Sequence, residues 1–327
     1  MTTRRGFLRH AGAGLASIGL GSLAGGLEGW FQDALARPGD SDELVITVLH
    51  TNDVHSRIDP FPADGGRNAG LAGAARRASL IDRIRAENPR TLLLDAGDVF
   101  QGTPYFNLFK GEVDFKVMSA LGYDAMTVGN HDFDAGIDGL QAALKYADFE
   151  LVSANYDFSQ TPLADRIKPF ITRTFDDVRI GIFGLGVGLE GLVAPALRRG
   201  VIYREPYPVA AEMVRRLREQ EACDLVICLS HMGNQGYHGE PGEQELAREV
   251  TGIDLIIGGH SHTFMEEPSR VHHGDRETLV FQVGWGGINL GRVDFHVRRG
   301  AVIRSQAAAL RVGRAARRHA VDALKMS

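Results

Sequence analysis

The amino-acid sequence predicts an α/β fold, because strand-like and helix-like segments alternate along its 327 residues. The run 44–49 is almost continuously apolar, which is typical of a strand buried on both faces. Between Leu71 and Ile84, apolar residues recur at helical spacing. A hydrophobic content of 44% and a charged content of 24% suit a globular protein, and the net charge of −5 excludes the basic footprint of a nucleic-acid-binding chain.

Residues 1–36 are predicted to be an export signal that is not part of the fold. Arg4-Arg5 lies in a segment that resembles the twin-arginine motif, and Ala34-Leu35-Ala36 fits a cleavage site. The Gly/Ala-rich run between them is too short for a good membrane span, and it holds no cysteine for a lipid anchor. We therefore expect a periplasmic or otherwise extracytoplasmic protein, exported by the twin-arginine route, without a stable membrane anchor. A disordered or membrane-anchoring N-terminus is the alternative.

The remaining sequence is predicted to form one domain, residues 37–312, followed by a basic tail, residues 313–327, that could be helical. Buried strands are predicted at 44–49, 91–94, 125–128, 150–153, 225–229 and 253–257, with helices between them. An antiparallel hairpin is predicted from 171–174 and 178–183, and antiparallel strands at 278–283, 292–297 and 302–310 are expected to finish the chain.

The two cysteines, Cys223 and Cys228, flank one of the predicted strands. Five residues of extended chain would separate them by about 16 Å, which is beyond the reach of a disulfide. We therefore expect Cys228 in the core, Cys223 at the end of a helix, and no disulfide between them.

Five groups of polar residues come directly after predicted strands. They are Asp53 with His55, Asp98, Asn130 with His131 and Asp134, His231, and His260 with His262. Because the carboxyl ends of strands in an α/β sheet line one crevice, we expect these side chains to meet. In extended backbone, side chains two residues apart point to the same side, so Asp53 and His55 are expected to grip one ion together, as are His260 and His262.

The expected ligands are two aspartates, one asparagine and four histidines, without cysteine. They are Asp53, His55, Asp98, Asn130, His231, His260 and His262. This set suits Mn, Zn, Fe or Co better than Mg or Ca, and it is large enough for two divalent metal ions that share a bridging carboxylate. Two ions, two aspartates and a bridging hydroxide sum to about +1, which favours an anionic phosphate substrate.

His131 is the one histidine in these five groups that is not among the expected ligands, although it adjoins the expected ligand Asn130. Asp134 follows it three residues later. The alternative is a hydrated turn in which Asp134 caps the next helix. The remaining histidines of the domain are expected to be structural or at the surface: His50, His238, His272, His273 and His296.

Five motifs in this order resemble the calcineurin-like metallophosphoesterases. They are D-x-H at 53–55, G-D at 97–98, G-N-H-D at 129–132, S-H at 230–231 and G-H-S-H at 259–262. The longer stretches 49–53, 97–104 and 129–134 resemble more narrowly the 5′-nucleotidase/UDP-sugar hydrolase branch. The resemblance runs from about residue 44 to residue 310.

The resemblance implies a four-layer α/β/β/α sandwich with a dinuclear metal centre and a metal-activated hydroxide. It implies that one ion is held by Asp53, His55, Asp98 and His262, and the other by Asp98, Asn130, His231 and His260, with Asp98 bridging them. It also implies that His131 stabilises the phosphate and helps the leaving group depart, held in place by Asp134.

Two positions depart from the branch, since His262 stands where Gln is frequent and Asp132 where Glu is frequent. The C-terminal domain that grips the nucleoside in this branch is also not recognised here. We therefore expect either a broad phosphatase or a separate polypeptide that supplies this domain. The segment Gly186–Gly191 matches G-x-G-x-x-G, but the strand before it is predicted to belong to a hairpin, so dinucleotide binding is not expected.

The function that these observations predict is an exported 5′-nucleotidase-like phosphomonoesterase that acts on a small-molecule phosphoester, a nucleotide. One alternative is a phosphodiesterase that acts on cyclic nucleotides or nucleotide-sugars. Another is a catalytic subunit that needs a separate substrate-binding chain. A metal-loaded binding or scaffold protein is less consistent with the sequence, because such a protein has no need of the pair His131 and Asp134.

Overall fold

A computed structural model describes residues 43–236 and 241–313. The predicted export signal, His238 and the tail beyond Gly313 lie outside the described residues. The predicted domain limits therefore stay a prediction.

The strands and helices alternate much as the sequence predicts. The strands are β1 Glu43–Thr51, β2 Thr91–Asp95, β3 Ala125–Thr127, β4 Glu150–Val152, β5 Tyr156–Asp157, β6 Ile167–Lys168, β7 Phe170–Phe175, β8 Val178–Gly186, β9 Ile202–Tyr203, β10 Leu225–His231, β11 Leu255–Gly258, β12 Ser269–His273, β13 Arg276–Phe281, β14 Asn289–Arg298 and β15 Ala301–Arg311. The α-helices are α1 Ala74–Glu87, α2 Pro104–Phe109, α3 Glu112–Leu121, α4 Gly136–Ala143, α5 Pro206–Arg215 and α6 Glu243–Glu249. A 3-10 turn covers His131–Phe133.

The strands form two large mixed sheets. The first has the order β15-β14-β1-β2-β3-β4-β6, with β1, β2, β3, β4 and β6 parallel and the β14–β15 pair antiparallel at one edge. The second has the order β12-β13-β11-β10-β8-β7, with a parallel centre flanked by antiparallel β12 and β7. The short strands β5 and β9 pair separately.

The two sheets lie face to face between two layers of helices. One apolar cluster packs α1, α3 and α4 against the first sheet through residues such as Ile81, Phe115 and Leu140. A second cluster, which includes Val48 of β1 and Ile227 of β10, fills the space between the sheets. A third packs α5 and α6 on the outer face of the second sheet. The predicted four-layer α/β/β/α sandwich is confirmed.

Register brings the carboxyl ends of the parallel strands to one edge of the sandwich. Thr51 at the end of β1 pairs with Asp95 at the end of β2, and Ser230 near the end of β10 pairs with Gly258 at the end of β11. The residues that follow these strands in both sheets therefore emerge on the same side, as the sequence predicts.

Some predicted elements differ from the structure. Of residues 278–283, expected in a terminal antiparallel set, 278–281 fall in β13, which runs parallel to β11 in the second sheet and antiparallel to β12. The strand periodicity alone does not reveal which sheet a strand joins. Helix α2 and strands β5, β6, β9 and β12 were not predicted, because they are short and carry no extended apolar pattern.

The cysteines lie where the sequence places them. Cys223 and Cys228 are both free and buried, and Cys228 is a β10 residue that packs against the helices of the second sheet. Among the described residues, no helix is both long enough and apolar enough to cross a membrane.

The sheets make close backbone contact at Gly184 of β8. The amide of Ala154, just after β4, donates a hydrogen bond to the Gly184 carbonyl at 2.7 Å. A Cβ atom at Gly184 would overlap the carbonyl oxygen of Val152 and approach Thr127 Oγ1. A side chain here would force the sheets apart beside the strand ends that carry the polar residues.

Replacing Gly184 with alanine is expected to lower the free energy of unfolding by about 1–3 kcal/mol, the usual cost of overpacking a core. Urea denaturation of the full chain measures this change. Gly313→Ala is the matched control, because its Cβ would lie an ordinary 3.5 Å from Leu71 Cδ2. Equal stability of the two variants would contradict the close approach of the sheets.

Candidate metal centre

Both sheets deliver polar side chains to the shared edge. Asp53 and His55 follow β1, Asp98 follows β2, and Asn130 and His131 follow β3; His231 ends β10, and His260 and His262 follow β11. The seven predicted ligands thus come together across the two sheets, although they are spread from residue 53 to residue 262 of the sequence.

The carboxylates and imidazoles form two adjacent groups that could each hold a metal ion. Asp53, His55 and His262 make the first group, and their ligand atoms lie within 4.8 Å of one another. Here His262 Nε2 is 3.0 Å from His55 Nε2 and 3.3 Å from Asp53 Oδ1. The two groups adjoin, because Asp53 Oδ1 lies 4.0 Å from His231 Nε2 of the second group.

The second group consists of Asp98, His231 and His260, again with ligand atoms within 4.8 Å of one another. His231 Nε2 lies 3.0 Å from Asp98 Oδ2. Asn130 joins this group, because its Oδ1 lies 2.8 Å from His260 Nδ1. Oxygen and nitrogen donors therefore converge from four different strand ends.

Hydrogen bonds to backbone carbonyls orient two of the histidines as metal ligands. His231 Nδ1 lies 2.7 Å from the Ala96 carbonyl, and His55 Nδ1 lies 3.1 Å from the Phe100 carbonyl. A proton on each Nδ1 leaves Nε2 with a lone pair that faces the cluster. His231 Nε2 is buried and has no partner in hydrogen-bonding geometry among the described residues, although carboxylate oxygens of Asp98 and Asp53 lie 3.0 Å and 4.0 Å away. A ring nitrogen with a free lone pair that faces two carboxylates is well placed to bind a cation.

The charges in the protein without metal also point to a cation site. Burial acts to lower the pKa of His231, but the adjacent Asp98 carboxylate outweighs it and raises the pKa to about 10. Burial and the neighbouring His231 lower the pKa of His260 to about 4. Without metal, a proton on His231 thus partly compensates the buried carboxylates, a role that a divalent ion performs more fully.

Five of the predicted ligand residues have left-handed backbone. The φ angles are 50° at Asp53, 50° at His55, 56° at Asp98, 69° at His260 and 52° at His262. The expectation that extended backbone lets His260 and His262 grip one ion together is therefore wrong: the turn sends His260 to the second group and His262 to the first. Non-glycine residues seldom adopt this conformation, and they cluster at functional sites when the surroundings enforce it.

Asp132 is a supporting residue that the sequence analysis noted only as a departure from the branch. Its carboxylate is fully buried and accepts hydrogen bonds of 2.8–3.2 Å from four backbone amides. These amides belong to Asp98, Val99, Phe100 and Gly129. One side chain therefore ties the turn that carries Asp98 to the turn that carries Asn130. In the sequence, the position of Asp132 inside the G-N-H-D motif is the feature that could have indicated this supporting role.

Glu243 and Gln282 support the other side of the centre, and the sequence analysis did not single them out. Gln282 Nε2 donates to Glu243 Oε2 and to the Gly259 carbonyl, both at 2.7 Å. Glu243 also accepts from Ser230 Oγ and from the Gly259 amide at 3.2 Å. Because both side chains are 0% exposed, this network holds the turn before His260 from within the protein.

Glycine at 129 is required by the approach of Asp98. A Cβ atom at this position would overlap Asp98 Oδ1, which accepts a hydrogen bond of 2.7 Å from the His131 amide. The close approach of the two turns therefore depends on the absence of a side chain at position 129.

His131 and Asp134 form a pair beside the two groups. His131 Nδ1 lies 2.9 Å from Asp134 Oδ2, and the His131 ring lies 5.4 Å from the ring of His55. The hydrogen bond to Asp134 raises the pKa of His131 above its usual value. Asp134 makes no capping bond to the helix that follows, α4, whose N-cap is Ala135. The alternative in which Asp134 serves as a helix cap is therefore wrong.

The other histidines differ from those in the centre. His50 is buried against Phe281, and burial lowers its pKa to about 3. His273 Nε2 lies 2.6 Å from the Ala247 carbonyl, and His296 Nδ1 lies 2.5 Å from Glu43. These contacts fit the structural roles predicted for them.

The most exposed ligand packs on an aromatic side chain. The His262 side chain is 40% exposed, and its ring stacks on Trp285 with 5.9 Å between ring centroids and 18° between planes. Trp285 in turn meets the edge of Phe61. The indole therefore restricts the orientation of His262 from the solvent side.

A cavity of about 550 Å³ adjoins the second group at His260. Its walls include Val187 and Leu192 from the G-x-G-x-x-G region, Met232 after β10, and Ser261. Among the described residues that line it, none is lysine or arginine. The segment that resembled a dinucleotide motif thus forms one wall of a mainly apolar cleft beside the centre.

Comparison with known proteins agrees with this geometry. The family model described as calcineurin-like phosphoesterase matches residues 46–264. The chain is 33% identical over 281 residues to the trifunctional nucleotide phosphoesterase protein YfkN of Bacillus subtilis, covering 76% of this chain and 18% of that protein. It is also 33% identical over 279 residues to a 5′-nucleotidase of Vibrio cholerae, covering 78% of this chain and 49% of that protein.

A solved structure shares the fold. The crystal structure of a 5′-nucleotidase precursor from Thermus thermophilus superposes with a TM-score of 0.73 at 33% identity, covering 82% of this chain and 54% of that chain. The chain spans less than half the length of the two curated relatives above. The predicted resemblance to the 5′-nucleotidase branch is confirmed, and the chain belongs to the calcineurin-like phosphoesterase family.

Proposed function

We propose that the chain hydrolyses phosphoesters with two divalent metal ions, as a 5′-nucleotidase-like phosphomonoesterase. The observation that carries this proposal is the pair of adjacent Asp/His groups with His131 and Asp134 beside them. The names of the relatives support a nucleotide as the small-molecule substrate.

The proposed ligands of the first ion are Asp53, His55, Asp98 and His262, and those of the second are Asp98, Asn130, His231 and His260. Bound divalent ions would activate water and neutralise phosphate charge. The nitrogen and oxygen donors fit Mn, Zn, Fe or Co. The role of Asp98 as ligand to both ions stays a prediction, since its side chain falls in one of the two groups.

His131 is the proposed proton-handling residue. With its Nδ1 bonded to Asp134, its Nε2 is available to a substrate. The raised pKa keeps a larger fraction of the imidazole protonated near neutral pH, so His131 can stabilise the phosphate and donate a proton to the leaving oxygen. Asp134 fixes the ring orientation and stabilises the imidazolium.

The alternative reaction is hydrolysis of a phosphodiester, either a cyclic nucleotide or a nucleotide-sugar. The same centre serves either ester, and a comparison of turnover separates them. With Mn²⁺ added, we expect faster hydrolysis of p-nitrophenyl phosphate and nucleoside monophosphates than of bis-p-nitrophenyl phosphate and cyclic nucleotides. Faster turnover of the diesters would favour the alternative.

Two further proposals concern the cellular location and the partners of the protein. Arg4-Arg5 and the following Gly/Ala-rich run support twin-arginine export to an extracytoplasmic compartment. Loss of export on Arg4→Lys/Arg5→Lys would support this route. A separate chain that grips the nucleoside is also proposed, because the described lining of the cleft holds no phenylalanine, tyrosine or tryptophan to stack on a base. A partner that copurifies from the native source and raises kcat/KM for nucleotides would support it.

Chelation is expected to abolish activity, and Mn, Co or Zn is expected to restore it, with two ions bound per chain. Asp98→Ala should cost more metal and more activity than any other ligand substitution if Asp98 contacts both ions. Elemental analysis together with phosphatase assays measures both quantities. An Asp98→Ala protein with two ions and near-normal turnover would show that the dinuclear assignment is wrong.

His131→Gln is expected to lower kcat by about 10²- to 10⁴-fold without changing the metal content, because it removes proton transfer and no ligand. Asp134→Asn should lower kcat less, since the imidazole remains. Steady-state kinetics and metal analysis on the same preparations test this. Loss of one ion per chain in His131→Gln would make His131 a ligand instead.

Asp132→Asn is expected to weaken Mn²⁺ binding by about 10- to 100-fold, the usual range for residues that support metal ligands. The amide NH₂ of asparagine would face two of the four backbone N–H groups, and two donors cannot form a hydrogen bond. The turns at Asp98 and Gly129 would then lose the hydrogen bonds that connect them. Titration followed by electron paramagnetic resonance measures the affinity. Asp148→Asn, at an exposed position, is the matched control and should bind as the wild type does.

A further inference from the structure

Three buried side chains behind the first group carry polar atoms that have no hydrogen-bonding partner among the described residues. Arg77 of α1 is 1% exposed and Asp114 of α3 is 2% exposed. Within residues 43–236 and 241–313, Nε and Nη1 of Arg77 and both carboxylate oxygens of Asp114 have no partner. The same holds for the hydroxyl of Ser56, which is 0% exposed. A buried charge without a partner costs several kcal/mol, so these groups require a common explanation.

Arg77 and Asp114 line one small internal cavity. Its volume is about 10 Å³, and its other walls include Val54, Ile58 and Tyr123. This volume is about the space that one water molecule needs. The cavity is therefore too small for an organic ligand but large enough for a single bridging molecule.

The charges around the cavity select a neutral occupant. The guanidinium of Arg77 disfavours a bare cation, and the carboxylates of Asp114 and Asp95, which both line the cavity, disfavour a bare anion. A water molecule can accept a hydrogen bond from Arg77 and donate one to Asp114, and it thereby satisfies both charges at once. Burial raises the pKa of Asp114 to about 6, and the Ser56 hydroxyl acts to lower it, so Ser56 lies close to this carboxylate although the two do not meet in hydrogen-bonding geometry.

The cavity lies directly beneath the loop that carries Asp53 and His55. Val54, one of its walls, stands between these two ligands, and Ser56 follows them. Arg77 Nη1 also packs against Gly287, the neighbour of Gly286, whose amide donates a hydrogen bond of 2.7 Å to the Asp53 carbonyl. The same guanidinium therefore touches the cavity below the loop and the segment that holds Asp53 in place.

We propose that this cavity binds one ordered water molecule that joins Arg77 to Asp114, and that the resulting network positions the loop bearing Asp53 and His55. The positioning role rests on the proposed metal centre, whereas the bound water does not. Arg77 and Asp114 are positioning residues, since they act through the loop and touch no ligand atom of the two groups.

A crystal structure of the wild-type protein tests the bound water directly. We expect one ordered water within hydrogen-bonding distance of an Arg77 nitrogen and an Asp114 oxygen. An empty cavity, or direct pairing of Arg77 with Asp114, would overturn the proposal.

Metal titration tests the positioning role. Asp114→Leu is expected to raise the Kd for the first Mn²⁺ ion by about tenfold, as loss of a supporting residue does, whereas Asp114→Asn, which can still bond the water, should stay within about threefold. The matched control is Asp254→Leu, which breaks another largely buried pair, Arg218–Asp254, at the opposite ends of the strands. It should lower Tm comparably and leave the Kd unchanged.

Equal changes of the Kd in Asp114→Leu and Asp254→Leu, or no change in either, would refute the positioning role. If Asp114→Leu does not fold, the double variant Arg77→Met/Asp114→Leu gives the same comparison, since it leaves no unpaired charge buried. It should recover Tm but still bind Mn²⁺ about tenfold more weakly. A wild-type protein that binds no Mn²⁺ would overturn the metal centre and the positioning role together, while the crystal structure would still decide the bound water.

Discussion

The burial of two carboxylates that face the same small volume is the constraint on which the rest of this structure depends. Asp53 and Asp98 are 0% and 1% exposed, and removing such groups from water costs several kcal/mol unless they are compensated. Backbone amides supply part of the compensation, from His260 to Asp53 and from His131 to Asp98. Imidazoles and metal ions supply the rest. This balance requires strand ends from two sheets to meet, which explains why the sandwich is held closed at Gly184.

The same constraint accounts for the strained backbone around the centre. Left-handed residues cost about 1–3 kcal/mol each when they are not glycine, and five of the proposed ligands adopt this conformation. Hydrogen bonds from buried side chains to these turns offset the strain. The main contributors are Asp132 on one side and the Glu243–Gln282 pair on the other. A site built in this way is largely preorganised, so binding an ion demands little rearrangement of the backbone.

The sequence predicted the strands that end in polar residues, because buried parallel strands leave a continuous apolar pattern and their ends share one edge. It could not predict the conformation of those ends, since a left-handed turn at His260 leaves no periodic signal. Nor could it find Glu243 or Gln282, whose partners are the buried amide and carbonyl of Gly259. The sheet to which residues 278–283 belong was also hidden, because pairing between distant strands is decided by packing and not by local pattern.

The stacking of His262 on Trp285 has an optical consequence. Trp285 is the one tryptophan among residues 43–236 and 241–313, and it is only partly buried beside the most solvent-accessible imidazole of the first group. Indole emission depends on the charge and mobility of a group held against its face. The protein therefore carries an intrinsic fluorophore at the rim of its centre, in ring contact with the proposed ligand His262.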